Sequence, residues 1–170
     1  MTTSPAHRPA DSSTGLLGGT LGDALRRTAA RFPDRRALAW ADGGADGGAG
    51  LDALESLTWA EVLAEAEQVA FWLLDHAEQG ARIGIWSRNS VEWVLLELGI
   101  ALAGMVVASW NPGWTDFECR HADDLSEPAL VFAGQDTRGA CLLERCGALV
   151  GAERTAALGE LRQLAAQAPA

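Results

Sequence analysis

The stretch Gly80–Pro112, GARIGIWSRNSVEWVLLELGIALAGMVVASWNP, decides how the rest of the chain is read. Its opening run, Arg82-Ile83-Gly84-Ile85-Trp86, is short and apolar and predicts a strand. Asn89 or Ser90 then caps Val91 to Ala103, a segment apolar nearly all round and therefore expected to be a buried helix. Met105 to Ser109 predicts the next strand, closed by the turn Asn111-Pro112-Gly113. Hydropathy alone offers a second reading, because Trp93 to Trp110 is 18 residues whose single charge is Glu97. Gly104 divides that run into a helix-like half and a strand-like half at Val106-Val107, and its flanks are not basic on one consistent side. A buried helix followed by a buried strand is preferred, and no membrane span is expected.

Working outward, capping boxes mark the helices. Thr58-Trp59-Ala60-Glu61 opens one that runs to about His76, with Trp59, Val62, Leu63, Ala66, Val69, Ala70 and Leu73 on one stripe. Thr115-Asp116-Phe117-Glu118 opens another to about Leu125, which Ser126-Glu127-Pro128 breaks, and Ala129 to Ala133 predicts a third strand. Upstream, Thr20 with Asp23 starts a helix that Phe32-Pro33-Asp34 stops, and Ala37 to Trp40 is a short strand candidate. Strand, helix, strand, helix, strand with short connections is the alternation of an α/β fold. It predicts a mostly parallel sheet with helices on both faces. Downstream, Asp136 to Cys146 predicts a short helix, Ala148 to Val150 a strand, and Thr155 to Ala168 an Ala/Leu/Gln-rich helix or tail. The expected organisation is a disordered leader over 1–19, one domain over 20–150, and a helical or disordered tail over 151–170.

Composition narrows function before any motif is considered. The chain has 170 residues, 48% hydrophobic and 21% charged, which suits one globular domain. Acidic residues number 23 against 13 basic ones, a formal charge of -10, so no nucleic-acid partner is expected. All 13 basic residues are arginine. Without lysine, a phosphate-loop lysine, a Schiff-base lysine and a lysine general base are all excluded from this stretch of chain. Tyrosine is absent as well, so no phenol can serve as acid or base. Three cysteines without framework spacing, Cys119, Cys141 and Cys146, and a polar N-terminus without an apolar core predict a reduced, cytoplasmic chain.

The sequence carries few residues in catalytic arrangements. Ala41 to Gly50 (ADGGADGGAG) is half glycine, yet Ala53 stands where G-x-G-x-x-G would need its last glycine, so a solvated hairpin loop is expected. Cys119-Arg120-His121 brings a thiol near an imidazole, but residues two apart on a helix point to different faces. Cys141 and Cys146, five apart, match a shared helical face poorly. His76 falls in the last turn of its helix, where a cation suits the dipole. Trp59, Trp93 and Trp110 read as core, whereas Trp72 and Trp114 fall off the stripes and are candidates for an interface. No catalytic, cofactor-binding or metal residue is assigned.

Several of these segments resemble the adenylate-forming superfamily of acyl-CoA synthetases and peptide-synthetase adenylation domains. LTWAEVLAEAEQVAFWLL (Leu57–Leu74) is similar to that family's "LTYxEL…A…LA…L" opening. Gly80–Pro112 resembles its "GDRVAIWxxNSxEWVxxxLGxxxAGxVxVxxNP". Thr20–Trp40 resembles the family's entry helix, and Glu118 followed by Pro128-Ala129-Leu130-Val131-Phe132 resembles its "ELxxxLxxSxPxxLVF" run. The resemblance covers about residues 20–139 and leans toward fatty- or aryl-acyl-CoA synthetases through Asn89-Ser90, Glu92-Trp93 and Asn111-Pro112.

The family's reaction turns carboxylate and ATP into acyl-adenylate and pyrophosphate, then passes the acyl group to a thiol, with Mg and CoA as further requirements. Its phosphate loop, ribose-binding aspartate, hinge and C-terminal lysine have no counterpart here. The resemblance therefore implies a truncated N-terminal subdomain, inactive alone, with no cofactor of its own. The alternative expectation is a binding or regulatory module that docks on a synthetase or complements a split enzyme. Either way, an exposed sheet edge is expected to favour self-association or a synthetase-like partner.

Overall fold

The computed structural model describes residues 18–41 and 54–168. Residues 1–17 of the expected leader, all of the expected Ala41–Gly50 loop but Ala41, and residues 51–53 and 169–170 lie outside the described residues. The chain begins with α1 (Leu21–Arg31), followed by an antiparallel pair, β1 (Arg36–Trp40) and β2 (Glu55–Thr58). β2 is a strand that the sequence reading did not anticipate. It precedes α2 (Trp59–His76) directly, and Thr58 serves both as its last residue and as the helix N-cap.

The central unit is a four-stranded parallel sheet in the order β4-β3-β5-β6. It comprises β3 (Arg82–Trp86), β4 (Val106–Trp110), β5 (Leu130–Ala133) and β6 (Thr155–Ala157), joined by α3 (Val91–Leu102), α4 (Asp116–Ser126) and α5 (Leu143–Val150). The expected parallel arrangement of the first three strands is thus observed. β4 starts one residue later than the sequence suggested, because the Met105 N–H still bonds to the Ile100 carbonyl at 3.0 Å and closes the preceding helix.

Period-two alternation sends side chains to two cores. Ile83, Ile85 and Phe132 face Val62, Val69 and Leu73 of α2 and Leu95, Leu96 and Ile100 of α3. Trp86, Val131 and Ala133 face the other way, toward Trp110, Cys119 of α4, and Cys146 and Val150 of α5. Helices on both faces and near-continuous apolar strands are two sides of the same requirement, since a parallel sheet must be covered twice. Every residue of α3 is buried or half-buried, which agrees with its all-round apolar sequence. It approaches α2 at Gly99, where an added Cβ would lie 2.8 Å from the Val69 Cβ.

The C-terminal third corrects three expectations. Asp136 to Cys146 is helical only from Leu143, where α5 begins: before it, Asp136 accepts the N–H groups of Arg138 and Ala140 at 2.7 and 2.9 Å, which makes a tight turn, and Gln135 pairs with Cys141. Ala148 to Val150 is the end of α5 rather than a strand. Thr155 to Ala168 is neither a single helix nor a tail. Its first three residues form β6, and α6 (Leu161–Ala165) then packs against α2, where Arg162 meets Glu65 at 2.7 Å. Short apolar runs without turn signals leave helix and strand indistinguishable by periodicity, and pairing with β5 decides the matter here.

Candidate cleft at the strand ends

In open parallel sheets, ligands sit beyond the carboxyl ends of the strands, where the chain's winding reverses. Here the reversal falls between β3 and β5. α3 leaves β3 on one face to reach β4, and the chain then crosses back along the opposite face through α4 to β5. A cleft of 370 Å³ lies at that point. It is walled by Ser87, Arg88, Asn89 and Ser90 after β3, by Gly134 and Gln135 after β5, and by Leu158 and Gly159 after β6. Trp40 and Ala41 close one side.

The walls are tied together by the backbone. The Gly134 N–H donates to the Trp86 carbonyl at 3.0 Å, and the Arg88 N–H donates to the Gln135 carbonyl at 2.8 Å. Ser87, 6% exposed, donates its hydroxyl to the Arg88 carbonyl at 2.8 Å and accepts the Gln135 N–H at 3.1 Å. That hydroxyl is committed to holding two loops in register. Among the described residues, the titratable side chains of the cleft are Arg88 and Glu92, and no histidine or cysteine lines it. Such a cleft can hold a polar or anionic group through the Arg88 guanidinium. Its described walls carry one carboxylate, Glu92, and two serine hydroxyls, of which that of Ser87 is already bonded.

The residues weighed in the sequence fall elsewhere. Cys119 is buried under α4 while Arg120 and His121 are exposed, so thiol and imidazole diverge as the helical spacing predicts. Burial pushes the Cys119 thiol up to about 11, and burial also raises Cys146, so both act as small apolar groups rather than nucleophiles. Among the described residues, no group of three or more His, Cys, Asp or Glu could hold a metal. His76 donates Nδ1–H to the Trp72 carbonyl at 2.7 Å and stacks on that indole, ring centroids 3.8 Å apart. Trp72 is accordingly 8% exposed and belongs to the core, which removes it from the interface candidates. Trp114 is half-buried against the second core. Trp110 is buried as expected, whereas Trp59 and Trp93 pack against the first core only partly buried. No helix among the described residues is long and apolar enough to cross a membrane.

The cleft residues themselves were not legible as a site. Ser87 to Ser90 and Gly134-Gln135 are separated by more than forty residues, and only the β3–β5 pairing brings them together.

Comparison with known proteins agrees with the geometry. The mitochondrial medium-chain acyl-CoA ligase ACSF2 of Homo sapiens is 34% identical over 122 residues, which are 71% of this chain and 18% of that protein. The Mus musculus form is 35% identical over 107 residues, 62% of this chain and 16% of that one. Thus the chain spans less than a fifth of the length of these relatives. A solved structure described as a long-chain-fatty-acid CoA ligase, from Rhodopseudomonas palustris, superposes with a TM-score of 0.69 at 30% identity, covering 89% of this chain and 37% of that one. The N-terminal domain of FACL13 from Mycobacterium tuberculosis gives 0.71 at 21% identity, covering 90% of this chain and 37% of that one, which speaks to the fold alone. The family model for AMP-binding enzymes matches residues 25–167, and the chain belongs to that family.

Proposed function

We propose that these residues form the N-terminal lobe of an AMP-forming acyl-CoA ligase of the fatty-acid type, and that alone they do not make an acyl-adenylate. The observation that carries this reading is the cleft at the strand ends. It offers Arg88 to an anionic group, and the chain contains no lysine to clamp a phosphate. Electrostatic stabilisation of a transferring group is commonly worth orders of magnitude in rate, and among the described walls of the cleft Arg88 alone carries a positive charge to supply it. ATP, Mg and CoA are then requirements of the larger enzyme, not ligands of this lobe. The test is pyrophosphate exchange into ATP with purified chain and octanoate or benzoate. No exchange above blank is expected; exchange above blank overturns the reading.

A second reading is favoured by the open sheet edges. Among the described residues β4 pairs only with β3 and β6 only with β5, and Val106 on β4 is 50% exposed. Unpaired edges beside apolar side chains are templates for association, so the lobe is expected to self-associate or to accept a synthetase-like partner. Sedimentation at increasing concentration tests this, and a monomer unchanged across the range counts against it. The reading keeps the chain in a reduced, cytoplasmic compartment, on the strength of cysteines without framework spacing.

A further inference from the structure

The two most exposed large apolar side chains among the described residues both stand on α4: Phe117 at 81% and Leu125 at 70%. They are eight residues apart, and His121, also exposed, stands midway between them. Residues four apart on a helix lie one above another, so the three form a single stripe. α4 is seated on the sheet by its other side. Cys119 is buried there, Ala122 packs beside it, and Asp116 and Asp123 reach back to Arg145 and Arg154 at 2.6 and 3.0 Å. The stripe takes no part in that seating.

Single exposed apolar residues are ordinary, but two on one helical stripe that the core does not need mark a contact surface. The charges beside the stripe say what it contacts. Arg120 and Asp124 stand four apart on one flank of it, and among the described residues neither makes a hydrogen bond or ion pair. A second copy of α4 laid antiparallel, with a two-fold axis through His121, sets Leu125 of that copy against Phe117. On the flank, Asp124 of the second copy then comes level with Arg120 to within about 3 Å along the helix axis. Each contact occurs twice, as a two-fold axis requires. A parallel pairing would instead set Asp124 beside Asp124 and Arg120 beside Arg120, like charge against like charge.

We propose that the outer face of α4 recognises a second copy of this chain, the two helices packing antiparallel with Phe117 on Leu125 and Arg120 on Asp124. The helix has 11 residues, so the contact is smaller than the roughly 1,200 Å² of a standard interface. The dimer is accordingly weak, with a dissociation constant on the order of 100 µM. It uses neither open sheet edge and no wall of the cleft at the strand ends. It does not depend on the lobe being catalytically inert.

The test is sedimentation of the full chain from about 10 µM to about 1 mM, where a reversible monomer–dimer equilibrium is expected. Phe117→Glu alone and Leu125→Arg alone should each leave a monomer. Mixed in equal amounts, the two variants set a carboxylate against a guanidinium at one end and keep Phe117 on Leu125 at the other, so a heterodimer is expected. Arg120→Asp should weaken the dimer about tenfold, and adding Asp124→Arg should restore it. Val106→Lys, which blocks the β4 edge, should leave the dimer unchanged. Phe117 and Leu125 lie in the first and last turns of α4, where the introduced charges suit the helix dipole, so thermal unfolding should show folded variants. If either does not fold, the exchange of Arg120 and Asp124 decides. A monomer throughout the range overturns the proposal, as does a dimer that survives both apolar substitutions. So does the absence of a heterodimer on mixing, a charge exchange without recovery, or a dimer lost through Val106→Lys.

Discussion

Ser87 occupies the space that a side chain at Gly134 would need: a Cβ built on Gly134 would collide with the Ser87 hydroxyl oxygen and lie 2.7 Å from its Cβ. This close approach lets the loops after β3 and β5 share the hydrogen bonds that shape the cleft. Gly134→Ala is expected to destabilise the chain by about 1–3 kcal/mol, the usual cost of overpacking. Ser87→Gly in the same chain should recover part of that loss, so a double-mutant cycle in urea should show strong coupling. Additive effects would mean that the two residues do not compete for space.

Arg154 joins three elements. Its guanidinium bonds both Asp123 oxygens at 3.0 and 3.2 Å, the Pro128 carbonyl at 3.1 Å and the Val150 carbonyl at 2.9 Å. Those contacts hold the end of α4, the end of α5 and the entry to β5 around β6, and the Asp123 side chain is only 16% exposed. Arg154→Met should cost about 1–3 kcal/mol, chiefly by leaving Asp123 and two carbonyls without a donor. Amide exchange at Thr155–Ala157 should quicken in the same variant. Unchanged protection there would mean that β6 is held by β5 alone.

The parts of this fold legible in the sequence are those fixed by local chemistry. Thr20, Thr58 and Thr115 each cap their own helix, and the apolar runs of β3 and β5 leave few alternatives once helices separate them. β2 was not legible, because Glu55-Ser56-Leu57-Thr58 carries no apolar alternation and becomes a strand only beside β1. β6 is similar: Thr155-Ala156-Ala157 has weak strand propensity and is recruited by the edge of β5. Trp72 is buried for a different reason. It sits at the border of the α2 stripe, and its burial depends on Phe132 from the sheet and His76 one turn on. The cleft requires the strand order itself, which no window of sequence contains.

The capping boxes set an acid limit on stability. Glu61 accepts the Thr58 N–H and hydroxyl at 2.7 and 2.8 Å, Glu118 accepts those of Thr115 at 2.8 Å each, and Asp23 accepts the Thr20 N–H at 2.9 Å. These bonds to the charged form hold Glu61 and Glu118 below the ordinary 4.5 and Asp23 below 3.8. A carboxyl lowered in the folded state stabilises fully above its unfolded value, and that contribution is lost as pH falls through the folded one. The urea midpoint should therefore hold through neutral pH and drop below pH 4.5. Thr58→Ala with Thr115→Ala should cost about 1 kcal/mol per cap at neutral pH and flatten the acid drop. Parallel acid slopes in parent and variant would assign the drop to other carboxylates.

The thiols should separate by position. Cys141 is exposed, whereas Cys119 and Cys146 are 0% exposed beneath α4 and α5. The thiolate is the reacting form, and burial pushes the Cys119 thiol up to about 11 and raises Cys146 as well. With dithionitrobenzoate at pH 8, one thiol should react quickly in the native chain and two more only in urea. Cys141→Ser should remove the fast phase while leaving stability unchanged, because its side chain supports no core. Cys119→Ser should instead destabilise by about 1–3 kcal/mol, since a hydroxyl there would enter an apolar cluster. α4 has Cys119 as its single buried residue, so the outcome also measures how firmly that helix is seated. A second fast thiol in the native chain, abolished by Cys119→Ser, would show that α4 lifts from the sheet on the timescale of the reaction.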